Sequence, residues 1–185
     1  MAKEMLHKDI SLKDIDLIKA SFRGTNLRHV SFEGANLYGA SFKDTTLEGV
    51  SFKNTNLIMA SFEDCVNYNC DFSGAIMSGT DLKNASFNNP IMQGITANNV
   101  PIISDIHSKM YKATLPKDSI NVDSYHTSDS IHDMAGWVVH LAGSDGKVLE
   151  EKCGTVNAAM LIYAVSDPTL FSPTSHIDFF ASKAA

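Results

Sequence analysis

Residues 21–52 read SFRGTNLRHVSFEGANLYGASFKDTTLEGVSF, and this stretch decides the fold. A Ser-Phe pair returns every ten residues, and a leucine follows each phenylalanine at a distance of five. The pattern continues on both sides of the stretch. Every fifth residue from 12 to 92 forms one track, which is large and apolar at sixteen of seventeen positions. A second track runs two residues earlier, and its members are mostly small or β-branched.

A period of five residues fits neither an α-helix nor a flat β-strand. Two inward side chains placed two residues apart indicate a short extended segment with both of them on one face. One such unit cannot bury its own apolar face, so successive turns of chain must stack and enclose a common core. The sequence therefore predicts a coiled β-solenoid whose core is filled by the two tracks.

The units Ala-Asn-Leu at 35–37, Thr-Asn-Leu at 55–57 and Thr-Asp-Leu at 80–82 resemble the pentapeptide repeat. The resemblance extends over roughly residues 10–95. It implies an all-β, right-handed quadrilateral β-helix of about four coils, with four pentapeptides in each coil. In such a coil the phenylalanines are expected to stack on two opposite walls, with leucines on the other two.

The sequence predicts three segments. Residues 1–9 are expected to be a lead-in, residues 10–96 the β-helix, and residues 97–185 a small all-α domain that caps the solenoid. The lead-in is short, so the N-terminal end of the solenoid is expected to be open to a second copy of the chain.

One unit departs from the pattern, because Asn67 occupies a position of the large apolar track. A buried amide without partners would cost about 1–3 kcal/mol. We therefore predict a local irregularity in which Val66 or Tyr68 supplies the apolar contact, as a tolerated bulge or as one that presents a ligand or partner. The neighbouring Cys65 and Cys70 lie on the small track and are expected to behave as buried hydrophobes rather than disulfide partners or metal ligands.

In the C-terminal domain, apolar residues recur at helical spacing. The first helix is expected to follow Pro101 and to carry Ile102 on its buried face. A capping box at Ser130 predicts the start of the next helix, and residues 142–146 read as a turn. Thr155 is expected to cap the last helix.

A second distinctive pattern lies in the C-terminal domain: HDMAGWVVHLAG at 132–143, LEE at 149–151 and AAMLIYA at 158–164. It resembles C-terminal regions that follow pentapeptide repeats in bacterial and phage-encoded proteins. The resemblance implies a bacterial or phage origin, and it carries no established activity.

The residues whose side chains have the chemistry of zinc ligands are His126, His132, His140 and Cys153. Their spacing lacks the tight pairs typical of zinc sites, and a cysteine at a helix C-terminus is disfavoured as a thiolate. Nucleotide-binding and hydrolase motifs are missing from the sequence. The sequence therefore predicts no catalytic, cofactor-binding or metal site, and a protein that is not an enzyme.

The chain of 185 residues has a formal net charge of -6, which argues against direct binding to nucleic acid. The N-terminal sequence MAKEMLHKDI lacks an apolar signal-peptide core, and no stretch is apolar enough to span a membrane. A cytoplasmic location without membrane contact is therefore expected.

The regular polar surface of a solenoid suits partner recognition, so the first hypothesis is a non-catalytic interaction or scaffold protein with an unidentified protein partner. The alternative comes from the family resemblance, which includes DNA mimics that bind a nucleic-acid enzyme such as DNA gyrase. Residues 10–95 carry nine acidic and seven basic side chains. Duplex DNA carries one negative charge per ~1.7 Å, so this balance opposes the alternative.

Overall fold

The structure is a computed structural model that describes residues 10–114, 126–128, 131–132 and 134–167. Residues 10–100 wind into a β-solenoid in which backbone positions twenty residues apart pair in parallel. Each turn of chain therefore takes four five-residue units. One side of the coil forms a four-stranded sheet in chain order: β1 (Asn26–Arg28), β2 (Thr46–Glu48), β3 (Val66–Tyr68) and β4 (Ser86–Asn88).

The large apolar track fills the core, as predicted. Its phenylalanines stack in two ladders with centroid spacings of 4.9 to 5.4 Å, formed by Phe22, Phe42 and Phe62 and by Phe32, Phe52 and Phe72. The two ladders meet edge to face at 5.2 to 5.8 Å. Such aromatic pairs contribute about 0.5–1.5 kcal/mol beyond the burial of area. The ten-residue recurrence of phenylalanine is therefore a packing rule of the core.

Three threonines on the small track, Thr45, Thr55 and Thr80, donate their hydroxyl to a carbonyl of the preceding coil, whereas Thr25 donates to the Phe22 carbonyl of its own coil. Thr45 Oγ1 donates to the Phe22 carbonyl at 2.9 Å, and Thr55 Oγ1 donates to the Phe32 carbonyl at 2.8 Å. These hydrogen bonds remove the cost of burying the hydroxyl, so threonine and alanine are interchangeable on this track.

The predicted irregularity at Asn67 is wrong. Asn67 pairs in register with Leu47 and with Phe87, and its side chain is buried in the core. The side-chain Nδ2 donates to the Ser86 carbonyl at 3.1 Å, while Tyr68 remains exposed. The amide is tolerated because the next coil supplies an acceptor at the required place, so neither Val66 nor Tyr68 needs to replace it.

Long outward side chains of one coil lie over glycines of the next coil. A Cβ atom placed on Gly74 would come within 2.3 Å of Asn54 Oδ1, and one on Gly79 within 2.8 Å of Met59 Sδ. The side chains of Asn54 and Met59 thus occupy the space that the missing Cβ atoms leave.

The second region is mainly helical. Its elements are α1 (Ile106–Thr114), β5 (His126–Ser128), β6 (Ile131–His132), α2 (Met134–Leu141), α3 (Gly143–Cys153) and α4 (Thr155–Ser166). The side chains of α4 are buried from Asn157 to Ala164. In the described parts of the chain, none of the helices combines the length and the apolar character needed to cross a bilayer.

Two predictions about this region are wrong because of one antiparallel pair. β5 pairs with β6, so the region is not all-α. The same pairing holds Ile131 and His132 in extended conformation, which prevents a helix from starting at Ser130; α2 begins at Met134 instead.

Other predicted helix boundaries also need correction. Ile102 precedes α1 and is 73% exposed, because Asp105 adopts a φ of 54° and the helix begins only at Ile106. Residues 142–146 are not a turn, since α3 begins at Gly143. The Thr155 hydroxyl donates to Glu150 Oε1 at 2.5 Å rather than capping α4.

Gly146, the second glycine of α3, has a packing role. Gly146 is buried, and a Cβ atom on it would lie 2.4 Å from the Val139 carbonyl oxygen and 2.7 Å from the Ala142 Cβ. The absence of a side chain allows α3 to approach the backbone of α2 closely.

Candidate interaction surfaces

Units twenty residues apart stack as a row along the solenoid, and three of the four rows carry ion pairs between successive coils. Examples are Lys13 with Glu33 at 2.6 Å, Arg28 with Glu48 at 3.2 Å, Arg23 with Asp44 at 3.2 Å, Lys53 with Asp71 at 3.1 Å, and Lys43 with Glu63. The hydrogen bond between Lys13 and Glu33 raises the pKa of the lysine and lowers the pKa of the glutamate. Exposed pairs of this kind contribute at most about 1 kcal/mol each, but they leave these rows with balanced charge.

The remaining row differs in character, and we call it the apolar row. Its outward apolar side chains are Ile18, Tyr38, Ile58, Met59 and Ile76. Backbone hydrogen bonds from Lys19 to Tyr38 and from Gly39 to Ile58 place these residues on successive coils. Met59 is 61% exposed and Ile76 is 41% exposed. A row of large exposed apolar side chains is typical of a surface that contacts a partner.

The apolar row is also free of charge over most of its length. From Asn36 to Asn99 its outward positions hold no acidic or basic side chain. The polar groups beside it are neutral amides, and Asn56 Nδ2 donates to Asn36 Oδ1 at 2.9 Å. A partner could cover this row without removing water from a charge, which keeps the cost of desolvation low.

The helical region meets the last coil through one buried amide. Asn157, near the start of α4, donates from Nδ2 to the carbonyls of Leu82 and Ala85 at 3.0 Å and to that of Cys153 at 3.1 Å. The carbonyl of Cys65, the counterpart of Ala85 one coil earlier, accepts from the backbone N–H of Ser86. The Asn157 side chain therefore takes the place of a backbone donor that a further coil would have supplied.

The three cysteines are buried and form no disulfide. Burial raises the pKa of Cys65 to about 12, of Cys70 to about 11 and of Cys153 to about 12. A thiol with such a pKa is almost entirely protonated at neutral pH and is a poor nucleophile. This agrees with the expectation that Cys65 and Cys70 behave as small hydrophobes.

A chain of hydrogen-bonded polar side chains, which the sequence pattern does not predict, joins α1 to the end of α4. The Tyr163 hydroxyl lies 2.7 Å from His107 Nδ1, and His107 Nε2 lies 3.1 Å from Asp167 Oδ2. Burial, and then the charge of Asp167, raise the pKa of Tyr163, so the phenol resists ionisation. The arrangement therefore serves to hold α1 against α4 rather than to activate the phenol.

The residues considered as zinc ligands are placed as follows. His126 and His132 are backbone partners in the β5–β6 pair, and the His140 ring lies 5.2 Å from that of Trp137. Cys153 ends α3, beside α4. Across residues 10–114, 126–128, 131–132 and 134–167, no three His, Cys, Asp or Glu side chains come together as a metal site would require.

A family model described as pentapeptide repeats, present in eight copies, matches residues 10–49, 31–66 and 68–100. These residues belong to the pentapeptide repeat family. No curated protein matches the chain significantly.

Solved structures of other pentapeptide repeat proteins are similar to this chain. One, from the thylakoid lumen of Arabidopsis thaliana, is 25% identical over 57% of this chain and 72% of its own, with a TM-score of 0.47. The full-length plasmid-mediated fluoroquinolone resistance protein QnrB1 is 21% identical over 48% and 45%, with a TM-score of 0.45. A protein from Nostoc PCC 7120 is 19% identical over 45% and 84%, with a TM-score of 0.41. The family assignment rests on the repeat model and on the twenty-residue pairing described above.

Proposed function

We propose that this is a non-catalytic interaction or scaffold protein, which offers the apolar row of its pentapeptide repeat to a protein partner. In this proposal residues 10–96 form a right-handed, four-sided rod of about four coils, and residues 97–185 cap its C-terminal end. The protein works in the cytoplasm of a bacterium, or of a cell infected by a phage. It uses no cofactor, catalytic residue or metal, and it contacts neither nucleic acid nor membrane.

The apolar row is the observation that carries this proposal. The outward side chains of the other three rows are mostly polar or form ion pairs, and these rows expose few large apolar side chains. Polar residues occupy the equivalent outward positions elsewhere in the repeat, so the fold itself does not require Met59 and Ile76 there. Exposing these side chains lowers solubility. A partner that covers the row removes this cost, and the regular spacing of the coils gives the contact its register.

The experiment compares two variants at equivalent positions. Met59 and Asn54 both adopt a positive φ and both lie over a glycine of the next coil, but only Met59 belongs to the apolar row. A partner is first isolated with the full chain and purified, and its affinity for each variant is then measured by calorimetry. We expect Met59→Lys to weaken binding by about tenfold or more, which is ~1.4 kcal/mol, and Asn54→Lys to leave it within about twofold. Equal effects of the two substitutions would contradict the proposal.

Homodimerisation through the N-terminal end is a further part of the proposal. Leu12, Leu17 and Phe22 of the first coil are only partly buried, whereas their counterparts Phe32, Leu37 and Phe42 are fully buried. Within the described residues, the backbone N–H groups of Ser11 and Asp16 have no acceptor. An end with open edges and exposed core invites association. A strictly monomeric chain in sedimentation equilibrium at high concentration would remove this part.

The alternative, a DNA mimic that binds an enzyme such as DNA gyrase, receives less support. Most acidic side chains of the repeat are paired with a lysine or arginine of a neighbouring coil. Such a surface lacks the dense negative charge of duplex DNA. We expect no effect of the protein on gyrase supercoiling at micromolar concentration; inhibition or protection would favour the alternative.

A further inference from the structure

The last strand of the sheet has one open edge. β4 pairs with β3 on one side only, and no described strand follows it. The Ser86 N–H donates to the Cys65 carbonyl on the β3 side at 2.9 Å. Adjacent residues of a strand in a parallel ladder direct their backbone groups to opposite neighbours. The N–H and C=O of Phe87 therefore point away from β3.

A third open group lies two residues further along the chain. One coil earlier, the Asn69 N–H donates to the Asn88 carbonyl at 2.8 Å. Its counterpart, the Asn89 N–H, points in the same direction but has no following coil to meet. Among the described residues, neither Phe87 nor Asn89 has an acceptor for its N–H. The edge thus presents a donor, an acceptor and a donor in a row.

A cleft of about 500 Å³ runs beside this edge. Its opposite wall is the end of α3 and the first turn of α4, including Thr155 and Val156. The volume lies within the range of ligand-binding clefts in proteins. The lining contains Lys83 and Lys152 together with Glu150 and Glu151, so neither sign of charge dominates.

These groups match an extended polypeptide. A strand presents an acceptor, a donor and an acceptor at the spacing needed to pair with Phe87 and Asn89, and a compact small molecule does not. Asn157 already occupies the neighbouring acceptor, the Ala85 carbonyl, so an added strand would begin its pairing one position later, at Phe87.

The inward column of the sheet determines which type of side chain an added strand should place over the core. Phe87 follows Leu27, Leu47 and Asn67 in the inward column of the sheet, and it is the only one of the four that is not fully buried. Its ring contacts Phe72 edge to face at 5.7 Å. A strand laid on β4 would place an apolar side chain over the open side of the Phe87 ring and polar residues on either side of it.

We propose that the edge of β4 is a docking site for an extended segment of a partner protein, which adds to the sheet as a fifth strand with an apolar residue over Phe87. This deepens the proposed interaction function, on which it rests, by adding a second contact at the cap. Strand addition of this kind obtains affinity from backbone hydrogen bonds and selectivity from alternate side chains.

The test uses the full chain and a random peptide library displayed on phage. Selected peptides are synthesised and titrated into the isotopically labelled protein, with amide hydrogen exchange followed by NMR. At saturation, exchange of the Phe87 and Asn89 amides is expected to slow by about tenfold or more. The amides of Asn67 and Asn69, which are already paired, serve as internal controls and should not change.

Methylation of the peptide backbone supplies a test that needs no protein variant. An N-methyl group should abolish binding at the one residue whose N–H pairs with the Phe87 carbonyl, and it should be tolerated at the two residues beside it, because adjacent N–H groups of a strand point in opposite directions. Val156→Trp, which narrows the cleft, is expected to weaken binding by about tenfold. Val148→Trp, on an exposed part of α3 away from the cleft, should not weaken it.

Three outcomes would overturn the strand proposal: no peptide is selected, the selected peptides leave Phe87 and Asn89 unchanged, or methylation weakens binding equally at neighbouring residues. Peptides that map to the apolar row would remove this proposal while leaving the proposed interaction function intact. If Met59→Lys does not weaken partner binding but peptides still pair with β4, the proposed role of the apolar row is wrong and the strand proposal stands.

Discussion

Asn157 should control how firmly the helical region is attached to the last coil. Its Nδ2 group has two protons and three carbonyl acceptors within 3.1 Å. In Asn157→Ala the Leu82 carbonyl keeps the Ala85 N–H as a donor at 3.0 Å, but the Ala85 carbonyl loses its donor. Two lost hydrogen bonds at about 0.5–1.5 kcal/mol each, with a penalty for the orphaned carbonyl, give a destabilisation of about 2–4 kcal/mol.

The chain contains its own reporter for this change. Trp137 is the single tryptophan, and it lies buried in α2, so its fluorescence follows the helical region during urea unfolding. Circular dichroism follows the whole chain. With a slope of about 1–3 kcal/mol per molar urea, we expect the fluorescence midpoint of Asn157→Ala to fall by about 1–2 M and to separate from the dichroism of the repeat.

Two controls define the result. Asn26→Ala removes an exposed amide from β1 and should change stability by less than about 0.5 kcal/mol. Asn157→Asp keeps the shape but directs carboxylate oxygens at the carbonyls, so it should destabilise at neutral pH and recover partly in acid, where the carboxyl group is protonated and can donate. A fluorescence midpoint for Asn157→Ala that stays within about 0.2 M of the wild type would refute the reasoning.

Three further predictions concern packing and titration. Gly146→Ala should destabilise by about 1–3 kcal/mol despite its better helix propensity, because the new Cβ would meet the α2 backbone; Lys147→Ala on the exposed face is the control, and a gain in the thermal midpoint of Gly146→Ala would contradict this. Asn67→Leu should stabilise the fold by about 1 kcal/mol in urea unfolding, since apolar burial exceeds the loss of the hydrogen bond to the Ser86 carbonyl and of the weak one from the Cys65 thiol; a loss of stability would contradict this. Burial raises the pKa of the thiols in the folded chain above the ordinary 9.0, so the stability that they contribute is complete below pH 9 and declines as the pH rises toward 11–12; stability that rises over this interval would contradict it. The cysteines concerned are Cys65, Cys70 and Cys153.

The solenoid could be predicted from the sequence because its signal is redundant. The same two tracks recur in every unit, so a local exception such as Asn67 does not obscure them. The irregularity predicted at Asn67 does not occur, because the buried amide has a partner that the linear pattern does not reveal. In a stacked coil the carbonyls of the next coil are always near, and the Ser86 carbonyl accepts from Asn67 without any change of register.

The helical region lacks that redundancy, and its boundaries were predicted less well. The Ser130 capping box had a plausible local pattern, but the β5–β6 pair uses the same backbone for a different purpose. Ile102 has the right spacing for the face of α1, yet the left-handed Asp105 delays the helix. In both cases a contact or a backbone conformation beyond the local pattern decides the outcome.

One of the two candidate surface features could be predicted from the sequence and the other could not. The apolar row could be found from the sequence by comparing residues twenty apart, since Ile18, Tyr38 and Ile58 fall in one column. Asn157 could not, because it is a single polar residue in a helix and its acceptor at Ala85 is 72 positions away. Only the folded chain brings the two together.

The glycines beneath long side chains have a consequence for how such a rod can change its length. Asp14 and Asn54 lie over Gly34 and Gly74, so large and absent side chains alternate from residue 14 to residue 74 of that row, before a second glycine follows at Gly94. Gly39 and Gly79 occupy the same alternate places beneath Lys19 and Met59. Between residues 14 and 79, the unit that repeats in these two rows is therefore a pair of coils. Removing forty residues there would keep the alternation, whereas removing twenty would place one long side chain upon another. The other two rows already stack such side chains, because Asn84 Nδ2 donates to Asp64 Oδ1 and Asn89 Nδ2 donates to Asn69 Oδ1.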